Sequence, residues 1–375
     1  MSSITGVSVA DAPGPDDGHT PGEGPGERAP SGDRAATGRR GDMIFGGLAR
    51  GAGLLVVVLV ALVGAFLVIQ AVPAIMDDHS NFLTSQDWDV DSSPMHFGIA
   101  RLLWVTVTSS VLAMLIAVPL AVCIALFLTQ YAPKWLAKPG AALIDLLAAV
   151  PSIVYGLWGV FTVGQYFDPV AKVIQDVLGW CPLFAKTDTS PASTIAFVSI
   201  ILAIMILPII TALSREVFAQ TPQAHKDAAT ALGATKWEVI RMTSFPYGRS
   251  GMIAAAMLAL GRALGETIAV MIILSAAVGR LKWSLFEGGD TFASKIARDV
   301  GEFVGNADAA GVYIAAGLVL FVLTFFFGVL GMFYATVPGA LILLGITLGA
   351  ILLASPQSAS LLGLDTGTDA SLKTR

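Results

Sequence analysis

The stretch TPQAHKDAATALGATKWEVIRMTSFP (221–246) is polar, lies between two long apolar runs, and is punctuated as two short helices. Thr221 is placed to cap the first helix, with Pro222 at its first position, where a missing N–H costs nothing. Ala228, Ala229 and Ala231 give that helix a smooth face for close packing. Gly233 stops it as a C′ glycine, and Thr235 with Glu238 forms a capping box, T-K-W-E, that starts the second helix. Trp237 and Ile240 share a face of the second helix, and Pro246 is expected to end it. A rigid bent pair in an otherwise apolar chain predicts a knob presented to a soluble partner.

Outward from that stretch the chain is oily. Its 375 residues are 55% hydrophobic and 13% charged, with a mean hydropathy of +0.75. Soluble domains carry about 25% charged residues, so a water-soluble globule could not cover itself. The class is all-α and polytopic. Residues 1–42 hold 14 Gly or Pro and 11 charges without an aliphatic run, which predicts a disordered tail. No cleavable signal peptide is expected, because the first apolar run is long enough to span.

Apolar runs follow at 51–74, 99–128, 141–163, 193–213, 251–278 and 311–333, each near the roughly 20 residues a bilayer requires. Residues 43–335 therefore read as a six-helix membrane domain containing the polar loop 214–250. A seventh run, 336–355, precedes a polar end, and loop charges do not decide whether it crosses. The segment 164–192 is too polar to span; Phe167, Val170, Val173, Ile174, Val177 and Leu178 predict a short amphipathic helix there.

Charge asymmetry orients the set. Arg34, Arg39, Arg40 and Arg50 precede the first run, Lys134 and Lys138 follow the second, and 214–250 carries Arg215, Lys226, Lys236, Arg241 and Arg249. The loop 75–98 has five Asp and no Lys or Arg. The positive-inside rule predicts that the N-terminus and the 214–250 loop are cytoplasmic. The 279–310 loop runs against it with Arg280, Lys282, Lys295 and Arg298, though five acids accompany them.

Two charges fall inside the fifth run. A lone charge at the bilayer centre costs about 2.5–3.5 kcal/mol on insertion scales, so Arg262 and Glu266 are expected to pair or to line a polar path. Four residues apart, they share a helical face, and Gly261 with Gly265 forms a GxxxG step for a neighbouring helix. A cation on an apolar path suits an anionic substrate. Asp145 reads as an interfacial residue, and Pro151 with Gly156 as a kink of the third run. The chain lacks a phosphate-cradling Walker loop, an H-E-x-x-H pattern and a G-x-S-x-G elbow, and its four His show no metal spacing. No cofactor, no metal and no catalysis by this chain alone are expected. The net charge of −5 offers no basic surface for nucleic acid.

The spacing of Asp227, Ala228 and Ala229, then Gly233, then Pro246 resembles the EAA loop of ABC-importer permeases, with Asp227 in place of the usual Glu and with Thr243 and Phe245 in place of Ile and Leu. DLLAAVPSIVYGLWGVF (145–161), LIAVPLAVCIALFLTQYAP (115–133), ILAIMILPIITALSREVF (201–218) and LGRALGETIAVMIILSAA (260–277) are similar to the phosphate-specific, PstC-type permeases, over about 95–335. The resemblance implies a type I permease core whose 221–246 loop is a coupling helix seated in a cytoplasmic ATPase. It implies a PstA-like homologous permease as partner, two ATPase copies and an extracytoplasmic phosphate-binding protein. It also implies that Arg262 and Glu266 take part in phosphate passage. The residues alone read anion, leaving a sulfate or molybdate permease open. A secondary carrier would show inverted repeats and several membrane acids, and a channel a filter segment; neither is evident.

Overall fold

The computed structural model describes residues 35–78, 81–86, 88–90, 96–275, 283–303 and 307–336. The seventh apolar run after Thr336, and the first 34 residues of the expected tail, lie outside the described residues. The chain divides into two units, 1–61 and 62–375. In the first, the described residues are all helical, in helix α1 (Ala35–Met76). That helix begins inside the stretch read above as tail.

In the second unit α1 runs on to Met76, and a two-residue antiparallel ladder pairs β1 (Trp88–Asp89) with β2 (His96–Phe97). Helix α2 (Ala100–Leu126) continues through a π-turn, Phe127–Tyr131. Next come α3 (Lys134–Ala148), α4 (Ser152–Trp158), a second π-turn (Gly159–Val163) and α5 (Gly164–Leu178). Helix α6 (Ile195–Ala219) leads to the short pair α7 (Gln223–Ala231) and α8 (Lys236–Val239). A third π-turn (Ile240–Ser244) enters α9 (Phe245–Leu264), followed by α10 (Ile268–Ile273), α11 (Phe292–Arg298), α12 (Val300–Phe303) and α13 (Ala307–Thr336).

The core is built on α6. Its Phe197, Ile201, Leu202, Ile206 and Ile210 are fully or almost fully buried. They pack in one cluster with Ala113, Ala117 and Ala121 of α2 and Ala255, Ala259 and Ala263 of α9. Each alanine set recurs every fourth residue, so each lies on one helical face. Small residues on a face let backbones approach closely, which is how helices associate where lipid removes the hydrophobic drive. The first N–H groups of α6 are satisfied from afar: Ile195 donates to the Glu287 carbonyl (3.0 Å) and Ala196 to that of Leu285 (2.7 Å). Segment 283–291 thus closes that end, with Trp283 edge-on to Trp104 at 4.8 Å.

Four of the expected spans appear as single helices long and apolar enough to cross: Gly41–Met76, Ala100–Tyr131, Ile195–Ala219 and Ala309–Phe333. The other two are broken. The third run is no straight span over 141–163: α3 meets the α4–α5 run at 91°, because Pro151 occupies the N-cap of α4 in an extended conformation and cannot continue a helix from α3. The amphipathic helix expected in 164–192 forms as α5, but joined to α4 through the π-turn. It packs Phe167, Ala171 and Ile174 while Val170, Val173 and Val177 stay open.

The fifth run breaks as well. Helix α9 ends at Leu264, Gly265 takes φ −91° and ψ 2°, and α10 begins three residues later. Pro119 and Pro208 lie inside the continuous α2 and α6.

Candidate functional site

The 221–246 pair is built by local chemistry. Gly233 adopts φ +83°, the left-handed region that a side chain makes costly. Its N–H donates to the Thr230 carbonyl (2.9 Å) and that of Ala234 to Ala229 (3.2 Å), the paired bonds of a Schellman cap. The capping box is complete: the Thr235 N–H and hydroxyl donate to Glu238 Oε2 at 2.7 and 2.8 Å, and the Glu238 N–H donates to Thr235 Oγ1 at 3.4 Å. Those donors hold the Glu238 carboxyl below the ordinary glutamate value, the Thr235 backbone N–H foremost.

Two expectations about this pair fail. Pro222, not Thr221, is the N-cap of α7; the extended Pro222 places the helix start at Gln223, and the Thr221 hydroxyl is buried and makes no hydrogen bond. Pro246 does not end the second element. The π-turn Ile240–Ser244 routes the Phe245 N–H to the Ile240 carbonyl, and Pro246 falls in the first turn of α9. The widened turn absorbs the donor that proline lacks. Helical structure therefore runs from Lys236 to Leu264, joining the knob rigidly to the fifth run.

Asp227 is exposed, and its Oδ1 accepts from Gln223 Nε2 at 2.9 Å. Ala229 faces inward, Ala228 faces outward, and Leu232, Trp237 and Met242 are open apolar side chains on the same structure. The knob is anchored by Lys236, whose ammonium lies 4.5 Å from the Tyr131 ring centroid, and by Trp237 and Phe218, both edge-on to Phe245. Sequence reasoning missed the Tyr131 anchor, since nothing local links positions 131 and 236. Asp145, read as merely interfacial, pairs with Arg215 at 3.3 Å.

The two broken runs meet. Gly156 of α4 lies against Ala269 of α10. Glu266 sits in the α9–α10 break, 7% exposed, and its Oε1 accepts the Ala269 N–H at 3.4 Å. Arg262, one turn back, is exposed and lies within electrostatic reach of the Tyr155 hydroxyl on α4. The expected Arg262–Glu266 ion pair is absent among the described residues, because the helix ends between them and the carboxylate turns to the α10 backbone. Among the described residues the Gly261–Gly265 step is not used either: a Cβ at Gly261 would meet nothing within 4 Å. Ala254, Leu258, Gly261 and Arg262 form one open face of α9, and Gly265 and Ile268 at the break are exposed too.

A second polar cluster, at 290–299, went unread in sequence, and its partners Met271, Leu274 and Tyr313 are distant from it. Arg298 pairs with Asp290 at 3.1 Å and donates to the Met271 and Leu274 carbonyls at 3.1 and 3.2 Å. Lys295 pairs with Asp299 at 2.6 Å, which also accepts from the Tyr313 hydroxyl at 3.0 Å. Burial pushes the Asp290 carboxyl up, an effect opposed by Arg298 and Lys295. Of the four basic residues that ran against the charge asymmetry, Lys295 and Arg298 are thus tied up in ion pairs, and Arg280 and Lys282 lie outside the described residues.

Broken membrane helices around an open cationic face, with a rigid knob on one long helix, define the membrane-embedded part of a transporter driven by another subunit. The chain matches the family described as "Binding-protein-dependent transport system inner membrane component" over residues 117–354. It is 51% identical over 290 residues to "Phosphate transport system permease protein PstC 2" of Mycobacterium bovis, covering 76% of this chain and 89% of that one. It is 53% identical over 263 residues to PstC of Mycobacterium leprae (69% and 82% covered). With the "Probable phosphate transport system permease protein PstC" of Methanocaldococcus jannaschii it shares 34% over 284 residues (74% and 89%). The chain belongs to the binding-protein-dependent inner-membrane permease family. It is a multi-pass permease subunit of an ABC importer and not an enzyme; ATP hydrolysis belongs to a separate subunit, and a binding protein supplies the solute.

Proposed function

We propose that this chain is the permease subunit of an ATP-driven importer of inorganic phosphate. The observation that carries the reading is Arg262, a cation on the open, small-residue face of α9, beside the break where α9 and α10 separate. An anion leaving water needs a compensating charge, and the planar guanidinium fork matches an oxyanion's oxygens. Relatives at 51% and 53% identity named as phosphate permeases supply the identity of the anion.

In this reading Arg262 and Glu266 line the pathway, Arg262 facing the anion and Glu266 holding the start of α10. The open face meets a PstA-like homologous permease, whose equivalent helix completes the pathway. Asp227, Ala228, Ala229, Gly233 and Pro246 belong to the coupling element, which docks into one of two ATPase copies. A phosphate-binding protein delivers substrate from outside. The permease domain spans 43–335, flanked by a tail at 1–42 and an extra apolar segment with a polar end at 336–375. The N-terminus and the 214–250 knob are cytoplasmic, on the charge asymmetry above. Transport is alternating access, a population shift set by differential ATP binding. Uptake of labelled phosphate by the reconstituted complex, with sulfate as competitor, tests the substrate: sulfate inhibition matching that of unlabelled phosphate would overturn it.

A further inference from the structure

Helix α10 is six residues long, far below the ~12–15 residues at which an isolated helix becomes even marginal in water. It exists because it is held. At its start Glu266 Oε1 accepts the Ala269 N–H. At its end the Arg298 guanidinium takes the Met271 and Leu274 carbonyls, groups that a helix C-terminus leaves open and that favour a cation.

Arg298 does not belong to the fifth run at all. It ends α11, and α11 is fixed independently of α10. The Phe292 N–H donates to Thr106 Oγ1 of α2 at 3.1 Å, Thr291 and Ser294 close a capping box, and Asp299 receives Lys295 and the Tyr313 hydroxyl of α13. Asp290, buried and accepting from Ser294 Oγ at 3.4 Å, pairs with the same guanidinium nitrogen, Nη2, that meets the two carbonyls. The segment 283–303 is therefore one braced body on α2, α6 and α13; Arg298 is its side-chain handle on α10, and the Gly289 N–H donates to the Ser275 carbonyl just beyond that helix (2.9 Å).

We propose that Arg298 is a positioning residue that transmits the position of this outer segment to the broken fifth helix, so that docking of the loaded binding protein moves α10 and with it the Glu266–Arg262 break. This rests on the function proposed above and adds the route by which the outside reaches the pathway. A lysine at 298 keeps the charge but as a hydrated point charge on a flexible stem, without the rigid guanidinium that holds Nη2 at both carbonyls and the carboxylate.

The test uses the full complex in proteoliposomes, with Arg298→Gln, Arg298→Lys and Asp290→Asn compared at equal assembled amounts. Hydrogen exchange should show the amides of 271–274 exchanging at least about tenfold faster in Arg298→Gln, with α6 unchanged. Basal ATPase activity should persist. Its stimulation by phosphate-loaded binding protein should fall about fivefold or more, the lower end of ordinary coupling energies, with Arg298→Lys and Asp290→Asn intermediate. Unchanged exchange in Arg298→Gln overturns the proposal. So does accelerated exchange with full stimulation, which would make Arg298 structural only. If Arg298→Gln does not assemble, full wild-type stimulation in Arg298→Lys overturns it. A wild-type complex deaf to phosphate-loaded binding protein would instead sink the phosphate reading, while the exchange comparison still decides whether Arg298 holds α10.

Discussion

Gly156 of α4 and Ala269 of α10 touch so closely that a Cβ on Gly156 would lie 3.0 Å from the Ala269 Cα and 3.3 Å from its Cβ. This contact joins the two broken runs beside their breaks, α4 starting just after Pro151 and α10 just after Thr267. Gly156→Val should force them apart and reduce uptake, because a branched side chain has no room against backbone. Gly261→Ala should leave the isolated permease undisturbed, since its Cβ meets nothing within 4 Å. Gly261→Leu should impair pairing with the homologous permease. Co-purification of the two permeases separates the cases; normal pairing by Gly261→Leu would remove the open face from the interface.

Gly233→Val places a β-branched residue at φ +83°, where L-residues lose about 1–2 kcal/mol. The Schellman cap should open and the angle between α7 and α8 should loosen. We expect weaker ATPase association in pull-down and lower uptake per ATP, with membrane insertion intact. Gly233→Asn should be milder, since Asn tolerates the left-handed region. Full association and uptake in Gly233→Val would show that the knob's geometry is not used.

The capping box carries a pH signature. Glu238 titrates below its ordinary value because Thr235 donates to its carboxylate, so the cap is fully present above the unfolded glutamate pKa and is lost as pH falls through the lower folded one. Protection of the Thr235 amide, corrected for intrinsic exchange, should drop across that acidic window in detergent. Glu238→Gln should abolish the step, since a neutral amide has nothing to titrate. A step that survives in Glu238→Gln would assign it to another group.

Orientation is open to thiol chemistry. Cys123, in α2, and Cys181, after α5, are both free. A membrane-impermeant reagent applied to intact spheroplasts should label Cys181 and miss Cys123. A cysteine introduced at Thr235 should be reached only from the cytoplasmic side; labelling from outside would invert the proposed topology.

What could be read from the residues was what is local. Gly233, Thr235 and Glu238 satisfy their own neighbours, so the helix pair was legible before any tertiary contact. The breaks were harder. Arg262 and Glu266 interrupt the apolar run, but composition does not say whether the backbone breaks with it; Gly265 followed by Thr267 was the available signal, a stop and a start within three residues. Pro151 marked the other break but not its 91° angle. The Arg262–Glu266 pairing failed for the same reason, since four-residue spacing implies a shared face only in an unbroken helix. Arg298 on Met271 and Lys236 on Tyr131 are contacts between distant positions that no spacing encodes.

The central claim is that Arg262 faces the anion as it crosses. It is tested most directly by phosphate uptake into proteoliposomes holding equal amounts of assembled complex, wild type against Arg262→Ala and Arg262→Lys. Because Arg262 is open and unpaired with Glu266, its removal strands no buried partner, and Arg262→Ala should assemble normally. Uptake should fall at least about tenfold, equivalent to ~1.4 kcal/mol in the translocation barrier, with Arg262→Lys retaining part of the activity. Near-normal uptake by Arg262→Ala would contradict the account.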